Sequence, residues 1–233
     1  MKIDYRIFDH SPTTRLWVIH DVTHLQNLKR ILDVGCGTGD EILRRNFGAE
    51  LVGLDISRHK CRKAKTRTKT EIICADGQFL PFISEVFDGV LCNQVIEHVK
   101  DDKSLLSEIY TVLKEKGKLV ISTAKYSSTR RFILRNYGID RAFKGKFLDI
   151  GHEREYSYKK FSEIVKSSGF NILSFRGCEI GFIFGYIDSA VWALAWKLRL
   201  TKQAERILRL LYRLDNLPLP LWQTFSLVCS KQR

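Results

Sequence analysis

Proline is scarce in this chain of 233 residues, four in all, and methionine occurs once. With 44% hydrophobic and 28% charged residues, that composition excludes a disordered chain and leaves enough apolar surface for a core. The length suits one large domain, or a domain with an appendage. The six cysteines (Cys36, Cys61, Cys74, Cys92, Cys178 and Cys229) include no CxxC pair, and no histidine cluster stands at zinc spacing. A structural zinc is therefore not expected. Cys74 and Cys92 sit inside apolar stretches and read as small core residues, which points to a reducing cytoplasm. Residues 1–6 lack the apolar run of a signal peptide. The stretch from Ile180 to Trp196 is broken by Asp188 and short for a bilayer, so neither secretion nor a spanning helix is expected. Acidic residues are also in short supply, with 26 Asp+Glu against 39 Lys+Arg and a net charge of +13. The excess implies attraction to an anion, whether nucleic acid, a lipid surface or an acidic small molecule, and says nothing about fold.

What the chain does have is alternation. Short apolar runs at Arg30–Val34, Glu50–Asp55, Thr70–Asp76, Phe87–Asn93 and Lys118–Ser122 are separated by helical patterns at 40–47, from Ser57, and at Leu105–Leu113. Apolar strands without a polar face, spaced by helices, predict a parallel sheet covered on both sides, in a doubly wound α/β layout. Residues 123–150 are basic and irregular. A helix is predicted over Tyr158–Gly169, with Gly169 as its C-terminal cap, followed by strands at Phe170–Phe175 and Thr224–Ser230. The excursion between those two strands is longer than a hairpin needs and reads as a helical insertion.

The chemistry concentrates at one predicted edge. Gly35, Gly37 and Gly39 form a GxGxG turn directly after a strand and before a helix, where bare backbone lets a ligand approach closely. A dinucleotide fingerprint would place its third glycine one residue later. Asp33 precedes the loop, and Asp55 ends the second strand, where a carboxylate can accept from both hydroxyls of a ribose. Asp76-Gly77 ends the third strand and Asn93 the fourth. In an open parallel sheet, ligands sit outside the carboxyl ends of the strands. One acidic strand end is commonly a cap or turn former; four polar ends in register are hard to explain that way.

On these residues the chain resembles the class I S-adenosylmethionine-dependent methyltransferases, in particular the type 11 group. The resemblance rests on Leu32–Gly39, Gly53–Ser57, Asp76–Phe82, Phe87–Val99 and Lys114–Thr123. It implies a Rossmann-like seven-stranded sheet with a helical insertion between the last two strands, and S-adenosyl-L-methionine as cofactor. It further implies that Gly35 and Gly37 face the methionine portion, with Asp33 supporting the loop and Gly39 completing it. Asp55 would bind the ribose hydroxyls, Ile56 would pack on the adenine, and Asp76 would accept from the adenine amino group beside Gly77. Asn93 and Gln94 would flank the sulfonium. Since this cofactor carries no phosphate, an acidic pocket is tolerable.

In-line methyl transfer needs a base only when the acceptor holds a proton, and His98 and His152 are the candidates. His98 also reads as a packed, hydrogen-bonded residue, and His152 as one that fixes its own loop. Metal-dependent relatives carry Glu-x-x-Glu-His where this chain has Gln94-Val-Ile-Glu97-His98. An amide is a poor ligand for a hard cation, and no metal is expected. The Asn/Asp-Pro-Pro-Tyr/Phe tetrapeptide of many base N-methylating enzymes is absent, which lowers that reading.

Arg58–Lys69 carries seven cations (Arg58, Lys60, Arg62, Lys63, Lys65, Arg67, Lys69) and no acid, and reads first as a solvated helix face. Lys202, Arg206, Arg209 and Arg213 recur as one helical stripe opposite Ala204, Ile207, Leu208 and Leu211. With Phe182, Phe184, Tyr186, Trp192 and Trp196 before it, this region is a helix packed on the sheet domain or a lid touching anionic lipid. The expected organisation is a segment 1–29 (with Trp17, His20 and His24) over the cofactor, a methyltransferase domain at 30–178 and 222–233, and a substrate or lid insertion at 179–221. The expected activity is methylation of a small, lipid-like or quinone-like acceptor in the cytoplasm or at a membrane surface. The alternatives are an RNA methyltransferase and a non-catalytic nucleotide-binding or membrane-peripheral protein.

Overall fold

The computed structural model of the chain describes residues 23–39, 48–124, 153–154, 156–180 and 222–232. Seven strands form one sheet: β1 (Arg30–Val34), β2 (Glu50–Asp55), β3 (Glu71–Cys74), β4 (Phe87–Asn93), β5 (Leu113–Ala124), β6 (Phe170–Ile180) and β7 (Trp222–Lys231). Their order is β3-β2-β1-β4-β5-β7-β6. Strands β1 to β5 pair in parallel, whereas β7 runs antiparallel to both of its neighbours. The sheet therefore grows outward from β1 in one direction and resumes at β4 in the other. That reversal opens a crevice at the carboxyl ends of β1 and β4, where ligands of such sheets bind.

The strands form because their apolar runs are covered on both faces. Leu32 and Val34 join a cluster with Phe87, Leu105 and Phe161, while Ile31 points the opposite way to Leu91, Cys61 and Ala64. Helix α1 (Arg58–Arg67) buries only Cys61 and Ala64, and Ser57 caps it by accepting from the Lys60 amide. Helix α2 (Asp102–Val112) starts at Asp101, whose carboxylate accepts from Lys103 and Ser104, and buries Leu105, Leu106, Ile109 and Val112. Helix α3 (Tyr158–Ser167) is capped by Ser157. Each such cap contributes about 1 kcal/mol. Gly169 ends α3 with φ +90°, and its amide donates to the Lys166 carbonyl at 3.0 Å, as its predicted capping role requires.

Several boundaries differ from expectation. β3 is shorter than Thr70–Asp76, because beyond Cys74 the chain turns and Asp76 folds back on Gln78. β5 begins at Leu113, where α2 was expected to end: Leu113 pairs with Phe87 across a register shift, and Lys116 takes φ +59°. β6 and β7 extend to a pairing of Ile180 with Trp222. Cys92 is buried as predicted, but Cys74 is exposed, at the end of β3, which is the edge strand among the described residues. The helix at 40–47, the basic stretch at 125–150, the insertion at 181–221 with its cation stripe, and Trp17 and His20 lie outside the described residues. Because β6 runs in the same direction as β5, both Ala124 and Ile180 end on the carboxyl edge of the sheet. Among the described residues no helix is long and apolar enough to cross a membrane.

Candidate active site

The glycine loop is bound to β2 at its root. The amides of Gly35 and Cys36 both donate to the Leu54 carbonyl, at 2.7 and 2.9 Å. Gly35 has φ +77°, and a Cβ there would overlap a methyl of Val95, so any side chain meets both strain and collision. Gly37, at φ +57°, has open space where a Cβ would lie. Gly39 instead packs on the last turn of α1, where its Cβ would come within 2.9 Å of Thr68 Cγ2 and 3.4 Å of Ala64 Cβ.

Asp55 ties this loop to the start of α1. Its carboxylate accepts the Gly37 amide at 3.0 Å through Oδ2 and the Ser57 amide at 2.8 Å through Oδ1. The residue is 6% exposed, yet each oxygen keeps a further acceptor direction. Next to it, Ile56 is 70% exposed, an apolar platform beside a carboxylate. On the neighbouring strand end, Asp76 accepts the Gln78 amide at 2.9 Å, and the Gln78 side chain in turn accepts the Asp101 amide at 2.8 Å. At the end of β4, Asn93 Oδ1 accepts the hydroxyl of Ser122 on β5, and that hydroxyl receives the Gln94 side-chain amide at 3.3 Å. Gln94 sits at φ +54°.

These strand ends enclose a cavity of about 550 Å³, within the size range of small-molecule and cofactor sites. Of the residues singled out from sequence, Gly35, Asp55, Ile56, Asp76, Gly77, Gln94 and His98 line it. Asp33, Gly37, Gly39 and Asn93 are not wall residues: Asp33 is buried and the others make the supporting contacts just described. His98 is exposed at the rim in a turn between β4 and α2, which corrects the packed reading of this side chain. His152 lies outside the described residues.

The structure adds wall residues that sequence reasoning passed over. Lys60, from the first turn of α1, and Lys100 line the cavity together with Gln78, Val95, Val99 and Glu153. All seven cations of the Arg58–Lys69 run are exposed, as a solvated helix face requires, and Lys60 borders the cavity as well. Glu153 is brought in by Glu97, whose carbonyl accepts the Glu153 amide at 2.8 Å while its buried carboxylate receives the Thr123 hydroxyl at 3.2 Å. Arg154 then pairs with Asp102 at 3.0 Å, and the buried Tyr156 hydroxyl donates to the same carboxylate at 2.7 Å. Burial, then Asp102, pushes the Tyr156 phenol well above its ordinary range. Burial also drives the Cys36 thiol upward, with Asp33 and Asp55 adding to it, and does the same to Cys92. Both remain protonated and are not nucleophiles. The described wall thus offers acceptors for hydroxyl and amino donors, an apolar shelf and one exposed imidazole, with no activated nucleophile.

Residues 32–121 match the family described as a methyltransferase domain. The chain is 35% identical over 115 residues to a demethylmenaquinone methyltransferase from Thermotoga maritima, covering 48% of this chain and 50% of that protein. It is 29% identical over 181 residues to a ubiquinone biosynthesis O-methyltransferase from Pelagibacter ubique, covering 75% and 70%. The structure resembles that of a SAM-dependent methyltransferase from Archaeoglobus fulgidus with a TM-score of 0.63, covering 98% of this chain and 100% of that one at 18% identity. A likeness at that identity speaks for fold. The chain spans between 39% and 64% of the length of four other curated matches, counting the Thermotoga protein.

Proposed function

We propose that this chain, which carries a class I S-adenosylmethionine-dependent methyltransferase domain, methylates a small, apolar, quinone-like acceptor. The observation that carries the reading is the single cavity in which Gly35, Asp55, Ile56, Asp76 and Gly77 meet. The residues present fit an adenosyl sulfonium: carboxylates for hydroxyl and amino donors, an exposed aliphatic shelf for a flat base, and glycine backbone with room beside Gly37. In this reading Asp55 holds the ribose, Ile56 and Asp76 hold the adenine beside Gly77, and Gly35 borders the methionine portion and Gln94 the sulfonium. Gly37 and Asn93, expected to touch the cofactor, support these walls from behind through Asp55 and Ser122. When bound, S-adenosyl-L-methionine supplies an electrophilic methyl group on a cationic sulfur.

The chain's own share is alignment and exclusion of water, which can supply much of the acceleration of an in-line displacement. His98 at the rim takes the proton of a hydroxyl acceptor on its imidazole nitrogen. His152, adjacent to the wall residue Glu153, remains the second candidate base. The apolar acceptor is supported by Val95 and Val99 in the wall and by the quinone-related names of two relatives. The segments beyond Ala124 and Ile180 start from the cavity's edge of the sheet, where a substrate-covering insertion would have to begin. Contact with anionic membrane through Lys202, Arg206, Arg209 and Arg213 belongs to the same proposal.

RNA methylation is a second reading, favoured by the exposed cations of α1. The test supplies the purified chain with methyl-labelled cofactor and either a hydroxylated quinol or total RNA. Label in the organic extract is the expected result. Label confined to RNA would replace the acceptor, and no transfer to either, in a chain that binds no S-adenosylhomocysteine, would defeat the reading.

A further inference from the structure

Two thiols lie directly behind the wall that Asp55 and Ile56 form, each against a backbone carbonyl of that wall. Cys74 ends β3 in register beside Asp55, and Cys61 stands in the first turn of α1. The Cys61 thiol donates to the Asp55 carbonyl at 3.2 Å and lies 3.8 Å from the Ile73 carbonyl. Cys74 Sγ lies 3.7 Å from the Ile56 carbonyl, so both sulfurs sit against carbonyls of the same β2–β3 strand ends, Cys61 beside the Ile73 carbonyl that immediately precedes Cys74. Cys61 is buried and Cys74 exposed, so one sulfur is reachable from solvent and the other is shielded behind the start of α1. Both are reduced in this structure. We propose that Cys61 and Cys74 form a redox modification site, oxidised to a disulfide by peroxide, that weakens the cofactor wall at Asp55 and Ile56.

The chemistry follows from the asymmetry. The Cys74 thiolate attacks hydrogen peroxide, the O–O bond breaks, hydroxide leaves, and Cys74 becomes a sulfenic acid. The Cys61 sulfur then attacks the Cys74 sulfur, the S–O bond breaks, and the departing oxygen takes the Cys61 proton and leaves as water. Two thiols are oxidised by two electrons and one peroxide is reduced to two waters once the hydroxide is protonated. Burial and Cys74 both push the Cys61 thiol upward, which fits the resolving partner rather than the first attacker. Cys36 is the third thiol nearby, but it is buried in the glycine loop.

The disulfide removes both S–H donors from the carbonyls of Asp55 and Ile56 and draws the start of α1 toward β3. Asp55 is then left with the Ala75 amide, 3.2 Å away, on its carbonyl, and its carboxylate bonds to Gly37 and Ser57 shift with the helix start. The thiol linkage stands independently of the cofactor reading; its effect on binding rests on that reading.

The experiment treats the full chain with hydrogen peroxide, maps non-reduced peptides by mass, and titrates S-adenosylhomocysteine before treatment, after it, and after dithiothreitol. The expected result is a Cys61–Cys74 linked peptide about 2 Da lighter than its parts, with affinity lowered roughly tenfold and restored by reduction. Cys74→Ser, conservative at an exposed position, is expected to keep its affinity through peroxide. Oxidation of Cys74 to sulfinic acid without a link, or a Cys36–Cys61 link, would overturn the site. A formed link with unchanged affinity would overturn the control. A reduced chain that binds no S-adenosylhomocysteine defeats the proposed function and the coupling with it, while the peptide map still decides the linkage.

Discussion

The Asp55 carboxylate accepts the backbone N–H of Gly37 at 3.0 Å, which joins the end of β2 to the glycine loop. With the Ser57 amide on its other oxygen, Asp55 organises the loop, the helix start and one wall of the cavity together. Asp55→Asn places an amide NH₂ against one of two N–H donors. The expected outcome is a loss of about 1–3 kcal/mol in stability and at least a tenfold loss, roughly 1.4 kcal/mol, in S-adenosylhomocysteine affinity. Urea melts and calorimetric titration measure the two separately.

Gly35 and Gly37 separate a packed position from an open one. Gly35→Ala meets Val95 as well as φ strain, and should destabilise the chain by more than the 1–2 kcal/mol typical of the left-handed region alone. Gly37→Ala has room for its methyl, so its stability loss should stay at about 1–2 kcal/mol, while strain on the Gly37 amide that Asp55 accepts weakens binding through that carboxylate. Paired melts and titrations check the ordering. Equal stability losses would show that Val95 yields.

Asp88 gives a pH test away from the cavity. Burial alone would raise its carboxyl, but the Lys114 ammonium at 2.9 Å and the Arg30 amide at 3.0 Å outweigh burial and hold it below the usual aspartate range. Its folded-state pKa is depressed, so this contribution is present above the ordinary aspartate value and lost as pH falls through the folded value. At a partly exposed pair it amounts to about 0.5 kcal/mol. Melts from pH 6 down to about pH 3 should show a steeper fall for the unmodified chain than for Asp88→Asn.

His98→Asn tests the base. With His98 at the rim and outside the hydrogen bonds of Asp55 and Asp76, S-adenosylhomocysteine affinity should hold. Methyl transfer to a hydroxyl acceptor should fall by about 10²-fold or more. Unchanged turnover would assign the proton to another group.

Much of this was legible in the residues themselves. β1, β2 and β4 fall on their predicted boundaries, because continuous apolar runs ending in Gly, Asp or Asn leave little choice of register. Asp55, Ile56, Asp76 and Gly77 could be placed at one edge for the same reason. β5 was read too short because its first half, Lys114-Glu-Lys-Gly117, is charged; it becomes strand only by pairing across the bulge opposite Phe87. Glu97 stands out in the sequence only within Gln94-Val-Ile-Glu97-His98, and nothing local signals that Thr123 would meet its buried carboxylate. Lys60 reads as one solvated cation among seven, since only the folded path of α1 brings it to the cavity. The thiol pair shows no sequence spacing at all, because only the β2–β3 register and the docking of α1 on those strand ends create it.

Calorimetric titration of the reduced, folded chain with S-adenosylhomocysteine, run beside Asp55→Ala, tests the central claim most directly. Saturable one-site binding by the unmodified chain, weakened at least roughly tenfold in the variant, is the result expected of a nucleoside held at the ends of β1 to β4. No binding by the folded chain, or equal binding by both proteins, would contradict it.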